Sequence, residues 1–177
     1  MPNKIIIKNK IDKFNKKIII PGDKSISIRW ALMASLSYGI SKAQNLLMSE
    51  DVMATLKAIK TLGIKVSYNS KICKIYGLGV NGYKYKKGIV INAQNSGTLG
   101  RLIPGLLIDT PMPIKIVGDK SLSKRDFRRI VDPLSKFGAN FAFKNNYGLP
   151  LVIHGSQKLK PIKFFEKKGS AQCKSSV

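Results

Sequence analysis

The sequence predicts an α/β protein assembled from β-α-β-α-β-β units, used about twice, with a third unit beginning near Ile162. Three observations carry this. Short β-branched runs alternate with stretches of helical apolar spacing. Ile59, Leu62, Gly63, Val66 and Tyr68 match Leu134, Phe137, Gly138, Phe141 and Phe143 at one constant offset. Helix starts rich in small polar residues recur after strand-like segments.

The elements follow in order. Ile5–Ile7 and Ile18–Ile20 read as short strands separated by a polar turn. From Ser25 to Ser37, Ile28, Ala31, Leu32, Ser35 and Leu36 keep helical spacing, and Gly39 is the expected stop. A short strand is expected around Ala43. Ser49 or Asp51 can cap a helix with Val52, Leu56 and Ile59 on one face and Gly63 at its end. Lys65–Tyr68 and Lys71–Tyr76 form a hairpin across Asn69-Ser70. In the second unit, Ile89–Ile91 is a strand. Leu99, Leu102, Ile103, Leu106 and Leu107 define a helix face that Pro104 should loosen. Ile114–Val117 is a strand, and Phe127, Ile130, Val131, Leu134 and Phe137 form a further helix face. Asn140–Phe143 and Leu151–His154 close the unit as strands.

Composition bounds the function. The 177 residues carry a formal net charge of +23. Such a charge raises nucleic-acid binding first, because cations neutralising phosphates dominate that affinity. The distribution points elsewhere. Of 32 basic residues five are Arg, and the other 27 are Lys scattered over nearly every segment, with no basic helix or base-stacking motif. A Lys-rich, solvated surface accounts for them. No apolar run is long enough to span a bilayer, and no signal peptide is evident. Cys73 and Cys173 make no metal or redox motif, and a reducing cytoplasm is expected.

All five Arg lie in or beside three polar loops: Gly22-Asp23-Lys24-Ser25-Ile26-Ser27-Ile28-Arg29, Asn95-Ser96-Gly97-Thr98-Leu99-Gly100-Arg101, and Gly118-Asp119-Lys120-Ser121-Leu122-Ser123-Lys124-Arg125, which Arg128 and Arg129 closely follow. Guanidinium is the bidentate choice for carboxylate and phosphate. Ser25 and Arg29 stand one turn apart on one helix face, and Lys24 precedes them. Gly97 lets an anion approach the backbone. Ser170-Ala171-Gln172-Cys173-Lys174-Ser175 is a fourth helix start of this kind. Each loop alone reads equally well as an ordinary capped helix. Together they describe a site for small, multiply charged anions. His154, the single His, is expected in a partly buried structural role, and no carboxylate pair stands out as an acid/base couple.

These motifs, Pro-Gly-Asp-Lys-Ser-Ile-Ser-x-Arg, Asn-Ser-Gly-Thr-x-x-Arg, Gly-Asp-x-Ser-Leu-x-Lys-Arg and Ser-Ala-Gln-x-Lys-Ser, closely resemble the ordered motifs of the 5-enolpyruvylshikimate-3-phosphate synthase family. The resemblance runs from about Ile18 to Ser175. It implies an inside-out α/β barrel domain of β-α-β-α-β-β repeats, and transfer of the enolpyruvyl group of phosphoenolpyruvate to the 5-hydroxyl of shikimate 3-phosphate in the shikimate pathway. Carried over by motif, Lys24 would touch both substrates. Ser25, Arg29, Ser170 and Ala171 would hold shikimate 3-phosphate. Gly97, Arg125 and Gln172 would hold phosphoenolpyruvate. The family needs no metal or organic cofactor, and its full-length form is a monomer. The expected layout places residues 1–17 as a strand segment belonging with a second domain, and 18–177 in a first domain. The chain is expected to be the N-terminal part of a longer enzyme, inactive alone, with the catalytic acids in the second domain. Its alternatives are a non-catalytic substrate-binding fragment and a half-enzyme needing that domain in trans. No nucleic-acid or membrane partner is expected. The sister enzyme acting on UDP-N-acetylglucosamine typically has Lys-Asn at Lys24-Ser25 and a Cys in the 118–125 loop, and this sequence has neither. Two departures stand out: Gln94 replaces a usual Gly, and Asp126 a usual Pro.

Overall fold

The computed structural model describes residues 6, 8, 10, 13–144, 146–167 and 169–177. Two β-α-rich units pack on one shared core. The first runs α1 (Lys24–Leu36), β1 (Tyr38–Gln44), α2 (Glu50–Thr61), β2 (Lys65–Tyr68) and β3 (Ile72–Leu78). The second runs β4 (Val90–Asn92), α3 (Gly97–Leu102), a 3-10 helix (Ile103–Leu106), β5 (Ile114–Val117), α4 (Lys120–Ser123), α5 (Arg128–Lys136), β6 (Asn140–Phe143) and β7 (Leu151–His154). A last helix, α6 (Ala171–Ser176), follows.

The first sheet has the order β1-β3-β2 and is antiparallel throughout. The second has the order β4-β5-β7-β6, with β4 parallel to β5. The repeat shows in that topology, since β1-β3-β2 corresponds to β5-β7-β6. It also shows at the helix ends: Gly63 and Gly138 adopt φ of +89° and +114°, a left-handed helix stop that an L side chain resists. Ile28, Leu56, Ile59 and Leu62 of the first unit share one apolar cluster with Leu99, Ile103, Ile116 and Leu151 of the second. The described residues close no barrel.

Pro104 has the expected effect. The α-helical ladder ends at Leu102 and continues as a 3-10 turn, because proline has no N–H to donate and its ring crowds the preceding turn. Lys24 opens α1 instead of lying before it, and α1 ends at Leu36 with Ser37 as its C-cap, so Gly39 falls inside β1 instead of stopping the helix. His154 is exposed at the end of β7, not partly buried.

The largest departure is at Ile18–Ile20, which forms no strand. These side chains are 66%, 86% and 72% exposed. Their counterpart β4 pairs with β5 and buries Ile91, whereas among the described residues β1 pairs with β3 alone. The segment nevertheless ends beside β1. Asn45 Nδ2 donates to the Ile20 carbonyl at 3.0 Å, and a Cβ on Gly22 would sit 2.2 Å from the Asn45 carbonyl oxygen. Of the strand expected at Ile5–Ile7, Ile5 and Ile7 lie outside the described residues. No strand forms among the described residues after Ile162, so the third unit is represented by α6. No described helix is long and apolar enough to cross a membrane.

Candidate anion-binding cleft

Each polar loop ends in a helix whose N-cap side chain accepts from the backbone N–H three residues on. Asp23 accepts from Ile26 at 2.7 Å, Ser96 from Leu99 at 3.2 Å, Asp119 from Leu122 at 2.7 Å and Ser170 from Cys173 at 3.2 Å. These caps satisfy part of the free N–H set at each helix start. The binding capacity of the loops therefore rests chiefly on their cationic and amide side chains.

Those side chains converge. Lys24, Gly97, Arg125 and Gln172, from four separate segments, line one open cleft of about 550 Å³ together with Asn95, Thr98 and the start of α2. The four residues expected to hold phosphoenolpyruvate are thus brought together. Arg125 Nη2 donates to Asn95 Oδ1 at 3.3 Å, which steers the guanidinium toward Gly97. A Cβ at Gly97 would lie 2.8 Å from Arg125 Nη1 and 3.3 Å from Arg101 Nη1. Gly97 therefore gives the cations room.

Lys24 Nζ rests on Asp51 Oδ2 at 2.9 Å, a pair half open to water. Asp51, read in the sequence as a possible helix cap, is instead the partner of the key lysine, while Ser49 occupies the N-cap position. Arg29, on α1, bridges to α6. Its Nε donates to Ser175 Oγ at 3.1 Å, Nη1 to the Ser25 carbonyl at 3.2 Å and Nη2 to the Ala171 carbonyl at 3.5 Å. Ser25, Arg29, Ser170 and Ala171, the expected shikimate 3-phosphate set, are therefore neighbours beside the first group.

Two residues of the site carried no role in the sequence reading. Arg101 is only 8% exposed and stacks over the Phe127 ring at 5.4 Å, while Arg129 projects from α5. Both donate to Gln172 Oε1, at 3.1 Å from Arg101 Nη1 and 2.9 Å from Arg129 Nη2. Burial first, and then the Arg129 and Arg125 guanidiniums, pull the Arg101 pKa down to about 10. The confinement of Arg to the polar loops was the one sequence signal that marked both. Asp126, the departure that places a carboxylate near this cluster, accepts from Arg128 through its backbone N–H at 2.7 Å and through its guanidinium. Gln94, the other departure, sits at φ +51°, which explains why glycine suits that position. Among the described residues no group of His, Cys, Asp and Glu is arranged to hold a metal ion.

Comparison with known proteins gives one answer. Residues 8–177 match the family model for EPSP synthase (3-phosphoshikimate 1-carboxyvinyltransferase). A 3-phosphoshikimate 1-carboxyvinyltransferase of Desulforamulus reducens is 39% identical over 97% of this chain, which spans 40% of that relative. One from Ruthia magnifica is 44% identical over 89% of the chain and 36% of its own length. Among solved structures, the EPSP synthase of Acinetobacter baumannii superposes with a TM-score of 0.85 at 33% identity, covering 91% of this chain and 36% of that one.

Proposed function

Because the chain belongs to the EPSP synthase (3-phosphoshikimate 1-carboxyvinyltransferase) family, we propose that its cleft binds phosphoenolpyruvate beside shikimate 3-phosphate for enolpyruvyl transfer. In that reaction the 5-hydroxyl of shikimate 3-phosphate attacks C2 of phosphoenolpyruvate while the methylene carbon takes a proton. The hydroxyl gives up its proton in that attack; the new methyl group of the tetrahedral adduct then loses a proton as inorganic phosphate leaves, which restores the double bond of the enolpyruvyl ether. One observation supports the assignment above others: Lys24, Gly97, Arg125 and Gln172 line a single cleft. Lys24 would reach both substrates, Gly97, Arg125 and Gln172 would hold phosphoenolpyruvate, and Ser25, Arg29, Ser170 and Ala171 would hold shikimate 3-phosphate. The cations favour the phosphates and the charge that develops in the adduct. Residues 18–177 would form the first of two domains, with 1–17 belonging to the second, in a cytoplasmic enzyme.

A second reading makes this chain a substrate-binding half that works with a second domain supplied in trans. One feature favours it: the carboxylates lining the described cleft are Glu50 and Asp51, and Asp51 is held by Lys24, so no acid/base couple stands ready there. Calorimetric titration with shikimate 3-phosphate, against shikimate and inorganic phosphate, tests the shared claim. Selective binding, lost in Lys24→Ala and Arg29→Ala, is expected. A folded chain that treats all three ligands alike refutes it. Adding the second domain in trans then tells a binding half from a complete catalyst.

A further inference from the structure

We propose that Arg101 and Arg129 are positioning residues that lock the Gln172 side chain with its NH2 turned into the cleft, as a donor to an acceptor-only anion. This rests on the phosphoenolpyruvate reading of the cleft. Gln172 Oε1 accepts from both guanidiniums, at 3.1 Å and 2.9 Å. A guanidinium has donors and no acceptor, so a flipped amide would press its NH2 against two cations. The planar amide therefore has one orientation, and its NH2 is the part left to face Lys24, Gly97 and Arg125 across the cleft.

The supports of this arrangement are themselves fixed. Arg101 is buried and stacked on Phe127. The Arg129 carbonyl accepts from the Cys173 thiol at 3.2 Å, which ties α5 to the residue next to Gln172. Three guanidiniums crowd the same corner, so a bound anion also relieves their mutual repulsion. A fully deprotonated phosphate or carboxylate satisfies both demands, since it accepts and does not donate. A hydroxyl-bearing neutral ligand can accept from the amide but leaves the repulsion between the guanidiniums in place.

The test uses the whole chain, saturated with shikimate 3-phosphate and titrated with phosphoenolpyruvate, while the Gln172 side-chain NH2 and Gly97 backbone amide resonances are followed by NMR. The two should shift together. Arg129 is exposed, so Arg129→Ala should leave the fold intact. It should collapse the Gln172 NH2 pair toward free-amide positions and weaken binding about tenfold, the scale of one hydrogen bond to a charged group. Arg129→Lys should restore most of that loss. Gln172→Glu should hold both arginines yet lose the anion, because it keeps the acceptor and removes the donor. A Gly97 amide that responds while the Gln172 NH2 does not, or an Arg129→Ala chain that binds as the parent does, overturns the inference alone. A Gly97 amide that does not respond overturns the reading of the cleft and this inference with it.

Discussion

Replacing Gly97 by Ala should separate the two ligands proposed for the cleft. The new Cβ would lie 2.8 Å from Arg125 Nη1 and 3.3 Å from Arg101 Nη1. Carbon and nitrogen rest near ~3.5 Å, so the Arg125 tip must withdraw by roughly 0.7 Å. Arg125 ends in a flexible, exposed side chain, so the protein gives way there at little cost to its fold. Alanine also suits the helix start, and Gly→Ala at a compatible site stabilises by about 0.4–1 kcal/mol. The bound anion bears the cost. A hydrogen bond to a charged group is worth about 1.5–3 kcal/mol, so phosphoenolpyruvate should bind roughly 10- to 100-fold more weakly. Shikimate 3-phosphate, whose proposed ligands are Ser25, Arg29, Ser170 and Ala171, should change by no more than about twofold, since these residues keep their partners. Calorimetry of each ligand, with a thermal melt as control, measures all three quantities. Equal losses for both ligands, or an unchanged affinity for phosphoenolpyruvate, would refute the steric reasoning.

Other perturbations probe different features. Asp51→Asn removes the carboxylate that competes for Lys24; inorganic phosphate should bind a few-fold more tightly, and stability should move by less than about 1 kcal/mol because the pair is half exposed. Weaker phosphate binding would show that Asp51 aids the site. Gln94→Gly should stabilise the fold by about 0.5–1 kcal/mol in urea denaturation, the left-handed strain at φ +51° less the backbone entropy of glycine. The Tyr83 hydroxyl, paired with Ser35 at 2.8 Å, has its pKa pushed up to about 12, chiefly by burial. Its folded value exceeds the unfolded value near ~10, so its contribution is complete below that pH and is lost as pH rises through about 12. The stability gap between the parent and Tyr83→Phe should therefore be flat to pH ~10 and shrink above it; a gap that is constant to pH ~12 would refute the linkage.

Local signals predicted local structure well. β5 and β7 each lie between a Pro and a Gly, β2 stops before Asn69 and β6 begins at Asn140, because turn chemistry acts over a few residues. The short α4 is hidden in a charged stretch, where Leu122 is its one buried side chain. Ile18–Ile20 has strand composition, yet a strand exists only where a ladder partner accepts it, and composition says nothing of partners. The cleft followed the same rule. Its cations were visible because Arg is scarce and confined to the loops. The Arg101–Gln172 and Arg129–Gln172 contacts cross 71 and 43 residues, and the Lys24–Asp51 pair joins two helices of the first unit that no spacing rule connects.

The outer edge of β1 bears on how this chain behaves in a tube. Tyr38 and Ile40 are exposed along it, with the three isoleucines of Ile18–Ile20 beside its end. A seven-residue edge of this kind is a template for another molecule's strand. Lys42 in the strand and the overall charge of +23 oppose that encounter by repulsion between copies. Salt shortens the reach of the repulsion and leaves the template untouched. The chain's colloidal stability should thus be set by ionic strength more than by temperature, with dilute buffer keeping it dispersed and concentrated salt bringing its edges together.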